Sequence, residues 1–240
     1  MVSSPLRAGT DPDRFQPRLD CAELAERLGV GGRPTLLTVA RIVKANRYKG
    51  HDVVIRALPR ILKSIPDLVY VIVGGGDDLG YLDSVSRKCG VRDKVIFAGC
   101  VPDAELPLLY NACDVFVMSS RQDRNCRGVL TEGFGLALLE ASACGKPVIA
   151  GRSGGMPDAV QDEVSGLLVD SRDPNAVSDA VLRLLHEPGL ADRLGKNGRR
   201  WVETEMNWGR AAGELYRALA RLSRNAGQPS ELFPDISEAR

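Results

Sequence analysis

Imidazole is scarce in this sequence, and the shortage removes a class of function. His51 and His186 are the only histidines in 240 residues. The six cysteines, Cys21, Cys89, Cys100, Cys113, Cys126 and Cys144, contain no C-x-x-C pair. That spacing is neither a zinc pattern nor a disulfide framework, and it points to free thiols in a reducing compartment. No stretch reaches the roughly 18 consecutive apolar residues of a membrane span, and the first seven residues lack the apolar core of a signal peptide. Charge of one sign is also missing: 32 basic against 31 acidic residues leave a formal net charge of +1. The even mixture argues against nucleic acid or an anionic membrane as the main partner, and predicts a cytoplasmic protein with at most peripheral membrane contact. A proper dinucleotide fingerprint is lacking too, since Gly74-x-Gly76-x-x-x-Gly80 is one residue too long. The run reads as close backbone packing at a strand end, which disfavours an NAD-dependent oxidoreductase.

What is present is a regular alternation. Compact apolar runs at 35–40, 67–73, 94–98, 114–118, 147–150 and 166–169 are bounded by turn residues and suit strands buried on both faces. Between and after them, helical stripes are read at 20–28, 51–63, from Gly76 to about 89, 103–111 with Asp103 as cap, from Gly135 onward, from Pro174, 190–205 and 208–222. The expectation is an α/β fold: a doubly wound parallel six-stranded sheet of Rossmann type in a single domain at 20–222. Residues 1–19 read as an interdomain-type connector, and 223–240 as a disordered tail. Asp11-Pro12-Asp13 has the acid-x-acid form of a metal site, but without a third ligand nearby it reads as turn chemistry.

The chain is organised around Glu132-Gly-Phe-Gly-Leu-Ala-Leu-Leu-Glu140. A helix opening after Gly135 leaves its first N–H groups unpaired at the positive end of the macrodipole, where an anionic or hydroxyl-rich ligand can satisfy them. Were the whole step helical, it would span about 12 Å with the two carboxylates about 80° apart around the axis. The plainer reading is a pair of ordinary exposed acids; the flanking glycines and the preceding long loop favour binding. That loop, 119–131, carries Arg121, Asp123, Arg124 and Arg127. Four cations after the first strand, Arg41, Lys44, Arg47 and Lys49, suggest phosphate. Gly154-Gly155 suits either backbone approach to a ligand or a simple turn.

Together these segments resemble the retaining glycosyltransferases of family 4, the glycosyl transferases group 1. The supporting matches are Arg41 with Arg47-Tyr-Lys-Gly-His-Asp52, Ile72-Val-Gly-Gly-Gly76, Val95-Ile-Phe-Ala-Gly99 with Val101, Leu109-Tyr-Asn-Ala-Cys-Asp114 and Gly154-Gly-Met-Pro157. The resemblance covers the carboxyl-terminal, donor-binding half of the two-domain GT-B fold. It implies a retaining hexosyltransferase-type enzyme that needs no metal or cofactor and uses a UDP-, GDP- or ADP-linked sugar. By similarity, Arg41 and Lys49 would neutralise the diphosphate leaving group, and Glu132 would hold the transferred sugar. Backbone N–H groups of Phe134, Gly135 and Leu136 would meet sugar and phosphate, Glu140 the ribose, and Val101 the base. The resemblance leaves the amino-terminal half, with its acceptor cleft and a histidine that neither His51 nor His186 matches, to be supplied by another chain, by further sequence or by a second copy. The alternative is a non-catalytic sugar-nucleotide module acting through a partner. The helix at 208–222 resembles the one that crosses back onto the amino-terminal half.

Overall fold

The computed structural model describes residues 8–125 and 128–225. The strands are β1 (Thr35–Val39), β2 (Val69–Val73), β3 (Val95–Gly99), β4 (Val115–Met118), β5 (Asp123–Asn125), β6 (Gly128–Leu130), β7 (Val148–Gly151) and β8 (Leu167–Val169). Six of them form one sheet in the order β3-β2-β1-β4-β7-β8, each pair parallel, while β5 and β6 form a separate antiparallel hairpin. This is the doubly wound arrangement expected from the alternation.

The apolar runs are continuous because both sheet faces are covered. In β2, Tyr70 and Ile72 join one core cluster, and Val69, Val71 and Val73 the other. The first cluster is closed by α2 (His51–Ser64), α3 (Leu79–Lys88) and α7 (Pro174–His186). The second is closed by α1 (Ala22–Arg27), α4 (Leu106–Ala112), α5 (Leu136–Ala143), α6 (Met156–Ala159) and the far end of α8 (Pro188–Thr204). At α7 the predicted start is observed: Asp173 caps the helix by accepting from the N–H of Asn175, with Pro174 in the first turn.

Several local expectations change. The segment from Asp103 is a 3-10 turn, Asp103–Glu105, followed by α4. Asp103 is not the cap: Pro102 precedes the 3-10 turn, Glu105 stands at the start of α4 with Pro107 in its first turn, and the Asp103 carboxylate pairs with Arg14 at 2.7 Å. The 119–131 loop contains the hairpin, and α6 occupies part of the stretch read as a glycine turn. Residues 8–19 lie along the domain: Phe15 is buried against Tyr110, and the Arg199 guanidinium donates to the carbonyls of Pro12, Phe15 and Ala143. The Asp11 carboxylate accepts from the N–H groups of Asp13 and Arg14, as turn chemistry requires. The last helix, α9 (Trp208–Asn225), exposes Trp208, Leu215, Tyr216 and Leu219. The rest of the expected tail, 226–240, and Arg127 lie outside the described residues. Among the described residues no helix is long and apolar enough to cross a membrane.

The order in which strands are added reverses across the sheet between β1 and β4, which are parallel, hydrogen-bonded neighbours. Loops leaving their carboxyl ends diverge, and the crevice between them is where open α/β sheets bind ligands.

Candidate functional site

Backbone packing shapes the floor of the crevice. A Cβ added to Gly74 would lie 2.1 Å from the Ala40 carbonyl oxygen, and one added to Gly76 would lie 2.0 Å from that of Ile42. The glycine run therefore lets the loop after β2 press against the loop after β1, which is the packing reading. Arg41, carried on that loop, is exposed, and its guanidinium has no partner among the described residues. The other cations divide. Arg47 is committed to structure: two bonds of 2.7 Å tie it to Asp78, and it stacks 3.9 Å from the Tyr81 ring centroid. Lys44 stays exposed. Lys49, at the end of a 3-10 segment, reaches across the crevice and pairs with Glu132.

That pair, both members mostly buried, joins two residues 83 positions apart. It is held from both sides. Gly50, left-handed at φ 78, packs on Ser119 at the end of β4. Arg121 donates its N–H to the Tyr48 carbonyl at 2.7 Å, while its guanidinium bridges Asp52 and Asp123. Arg172 holds Asp123 in turn. Sequence reasoning placed Arg121 in a polar loop and missed this brace; only the separation of the partners along the chain hid it.

Glu132 itself precedes the helix. The stretch up to Gly135 is irregular, Gly135 is the left-handed N-cap at φ 88, and α5 begins at Leu136. The fully helical spacing therefore does not apply to the Glu132–Glu140 step, and only its second half is helical. No acceptor among the described residues takes the N–H of Phe134, Gly135 or Leu136. These amides stand free at the helix start. Gly154 and Gly155 support the loop from below: a Cβ at Gly155 would sit 1.9 Å from the Gly133 carbonyl oxygen, and the Gly155 N–H donates to the Glu132 carbonyl at 3.0 Å. Their smallness brings two loops together, and one amide that could have met a ligand is already used.

Glu140 lies one turn into α5, partly buried, and accepts a 2.6 Å bond from the Tyr110 hydroxyl. Burial raises its pKa; the Tyr110 bond and the nearby Arg14 charge pull it back, while Asp103 pushes it up. Val101 follows β3 and packs, partly buried, on the second core cluster. The eight residues singled out from the sequence are thus placed on the loops after β1 and β3, the 131–135 loop and α5, at the carboxyl-terminal end of the strands.

A family model described as glycosyl transferases group 1 matches residues 22–201. The chain belongs to this family. Its fold is the carboxyl-terminal half of GT-B. It is 40% identical over 216 residues to a GDP-mannose-dependent alpha-(1-6)-phosphatidylinositol monomannoside mannosyltransferase of Mycolicibacterium smegmatis, covering 90% of this chain and 55% of the relative. Sucrose-phosphate synthase from Thermosynechococcus elongatus superposes with a TM-score of 0.76 at 31% identity, covering 91% of this chain and 52% of that one. The C-terminal domain of a group 1 glycosyl transferase from Francisella tularensis gives a TM-score of 0.70 at 27% identity, covering 83% of this chain and 100% of that one. The chain thus spans about half the length of the curated relatives it matches.

Proposed function

We propose that this chain binds a nucleoside diphosphate sugar and serves as the donor half of a retaining glycosyltransferase. The observation that carries the reading is the meeting, at the crevice between β1 and β4, of an unpaired Arg41, the Lys49–Glu132 pair and the free amides of Phe134, Gly135 and Leu136. Without ligand, Lys49 and Glu132 neutralise each other. A diphosphate draws Lys49 toward it and frees Glu132 for sugar hydroxyls, so both groups exchange one partner for another rather than leaving water. Arg41 and Lys49 then stabilise charge that grows on the diphosphate as the glycosidic bond breaks, and the reading assigns no role to a metal or cofactor. Glu140, an ionised acceptor, takes ribose hydroxyls, and the backbone at Val101 borders the base. Both carboxylates act as binders; neither is assigned as a covalent nucleophile.

The Mycolicibacterium relative, which by its name uses GDP-mannose, makes a GDP-linked sugar the first donor to test. The acceptor is read by an amino-terminal half, in this chain's parent or in a partner, or by a second copy. The five described cysteines are all free, in keeping with a cytoplasmic location.

Calorimetry with GDP-mannose, UDP-glucose and ADP-glucose tests the site. Glu132→Ala and Glu140→Ala should each weaken the best donor by about tenfold, the usual worth of hydrogen bonds to a charged group. Unchanged affinity in both variants would sink the assignment. Transfer of a radiolabelled sugar, by the chain alone or with an acceptor half, separates an enzyme from a binding module.

A further inference from the structure

We propose that Tyr110 is a positioning residue for Glu140, turning its carboxylate so that one oxygen is held by the protein and the other is presented to the ribose. The proposal rests on the reading of Glu140 as the ribose acceptor. It deepens that reading by naming what sets the selectivity for a ribonucleotide.

The geometry is specific. Tyr110 is fully buried in α4, its ring edge-on to Phe15 at 5.8 Å and to Phe116 at 5.6 Å. Packed on both sides, the ring has one orientation, and its hydroxyl lies 2.6 Å from Oε2 of Glu140. A carboxylate on a helix surface otherwise turns freely about its last torsion, and a ligand that needs one orientation must offset that freedom. Tyr110 removes it beforehand. Since the hydroxyl donates to Oε2, Oε1 is left as the acceptor for a ribose hydroxyl. The Tyr110 hydroxyl stays protonated, because burial and the Glu140 charge raise its pKa well above the ordinary value.

The same bond opposes the effect of burial on the carboxylate. Burial favours the neutral acid at Glu140, and the groups facing it are Tyr110 from α4, Arg14 and Asp103 from the chain beside α4, and Cys144 at the end of its own helix. Of these, Tyr110 and Arg14 favour the ionised form, and Tyr110 is the larger influence. A nucleotide affinity that needs ionised Glu140 falls as pH drops through its raised pKa. Removing the hydroxyl moves that acid limb to higher pH.

The experiment is calorimetry on the full chain with whichever of GDP, UDP and ADP binds most tightly, together with its 2′-deoxy and 3′-deoxy forms, between pH 4.5 and 8. Tyr110→Phe keeps the ring and its packing. It should lower the affinity for the ribonucleotide about tenfold, change that for one deoxy form far less, and raise the acid limb. In a Glu140→Gln background the same substitution should do nothing further to the ratio of ribo to deoxy affinity. An equal loss for all three ligands with an unmoved limb, or an undiminished effect in the Glu140→Gln background, marks Tyr110 as packing only and overturns the proposal. If Glu140→Gln alone leaves affinity and ratio unchanged, or if none of the three nucleotides binds, the ribose reading itself falls, a result distinct from the first. Should Tyr110→Phe fail to fold, 3-fluorotyrosine at position 110 keeps ring and hydroxyl but strengthens the donor; the acid limb should then move to lower pH, and an unmoved limb overturns the proposal.

Discussion

Gly50→Ala should destabilise the domain by about 2–5 kcal/mol, combining left-handed strain of about 1–2 kcal/mol with overpacking of about 1–3 kcal/mol. Gly50 has φ 78 and ψ 17, and an added Cβ would stand 2.1 Å from the Ser119 carbonyl oxygen and 2.7 Å from its carbonyl carbon. The clash is with backbone at the end of β4, so no side-chain rotation relieves it. Against a typical total of about 5–15 kcal/mol, the loss is a large fraction. Gly29→Ala is the control: it too is left-handed, at φ 68, but nothing lies within 4 Å of the added atom, so it should cost the strain alone. Equal shifts of the urea midpoint in the two variants would remove the clash from the account. The consequence for the site is direct, because Gly50 follows Lys49. The Ser119 hydroxyl donates to the Gly50 carbonyl at 2.9 Å, and this contact sews the loop after β1 to the end of β4. Pushed off Ser119, the loop carries Lys49 away from Glu132, so nucleotide affinity should fall along with stability.

The parallel strands could be read from the sequence because a sheet covered on both faces tolerates no polar side, and runs such as Tyr70-Val-Ile-Val73 follow directly from that. The helix start at Gly135 was legible from its glycines. What could not be read were relations between distant positions. Lys49 and Glu132 were each assigned to a ligand, but their pairing depends on which loops leave adjacent strands in the same direction. Arg47 and Arg41 look alike in the sequence; only Asp78 and Tyr81, brought in by the start of α3, separate the committed cation from the free one. Gly74, Gly76 and Gly155 carry a signal that says something comes close. Whether that something is a ligand or another backbone is a matter of topology, and here it is backbone. The hairpin β5–β6 was missed for a different reason: Asp123-Arg-Asn125 and Gly128-Val-Leu130 have no alternation, because the hairpin stands clear of both core clusters.

His51 should make the domain acid-labile in a window set by its own titration. It opens α2 beside Lys49, is 4% exposed, and its Nε2 has no hydrogen-bond partner among the described residues. Burial pushes its pKa down to about 4, Lys49 acting in the same direction, with Asp52 and Asp78 opposing. The unfolded chain, with a histidine near 6.5, binds a proton more readily than the native state, so stability increases with pH between these values. The contribution is complete above about pH 6.5 and is lost as pH falls toward about 4, amounting to about 3 kcal/mol over the window. Glu140 acts with the opposite sign, since its raised pKa favours the native state on protonation. The wild-type slope is therefore a difference, and a variant is needed to isolate the histidine. Urea unfolding of wild type and His51→Gln at intervals from pH 4.5 to 7 gives that isolation. The gap between the two proteins should narrow as pH falls, the variant losing its disadvantage where the wild type must protonate a buried ring. A gap constant with pH would mean that His51 titrates alike in both states, and that its unpartnered nitrogen reaches water.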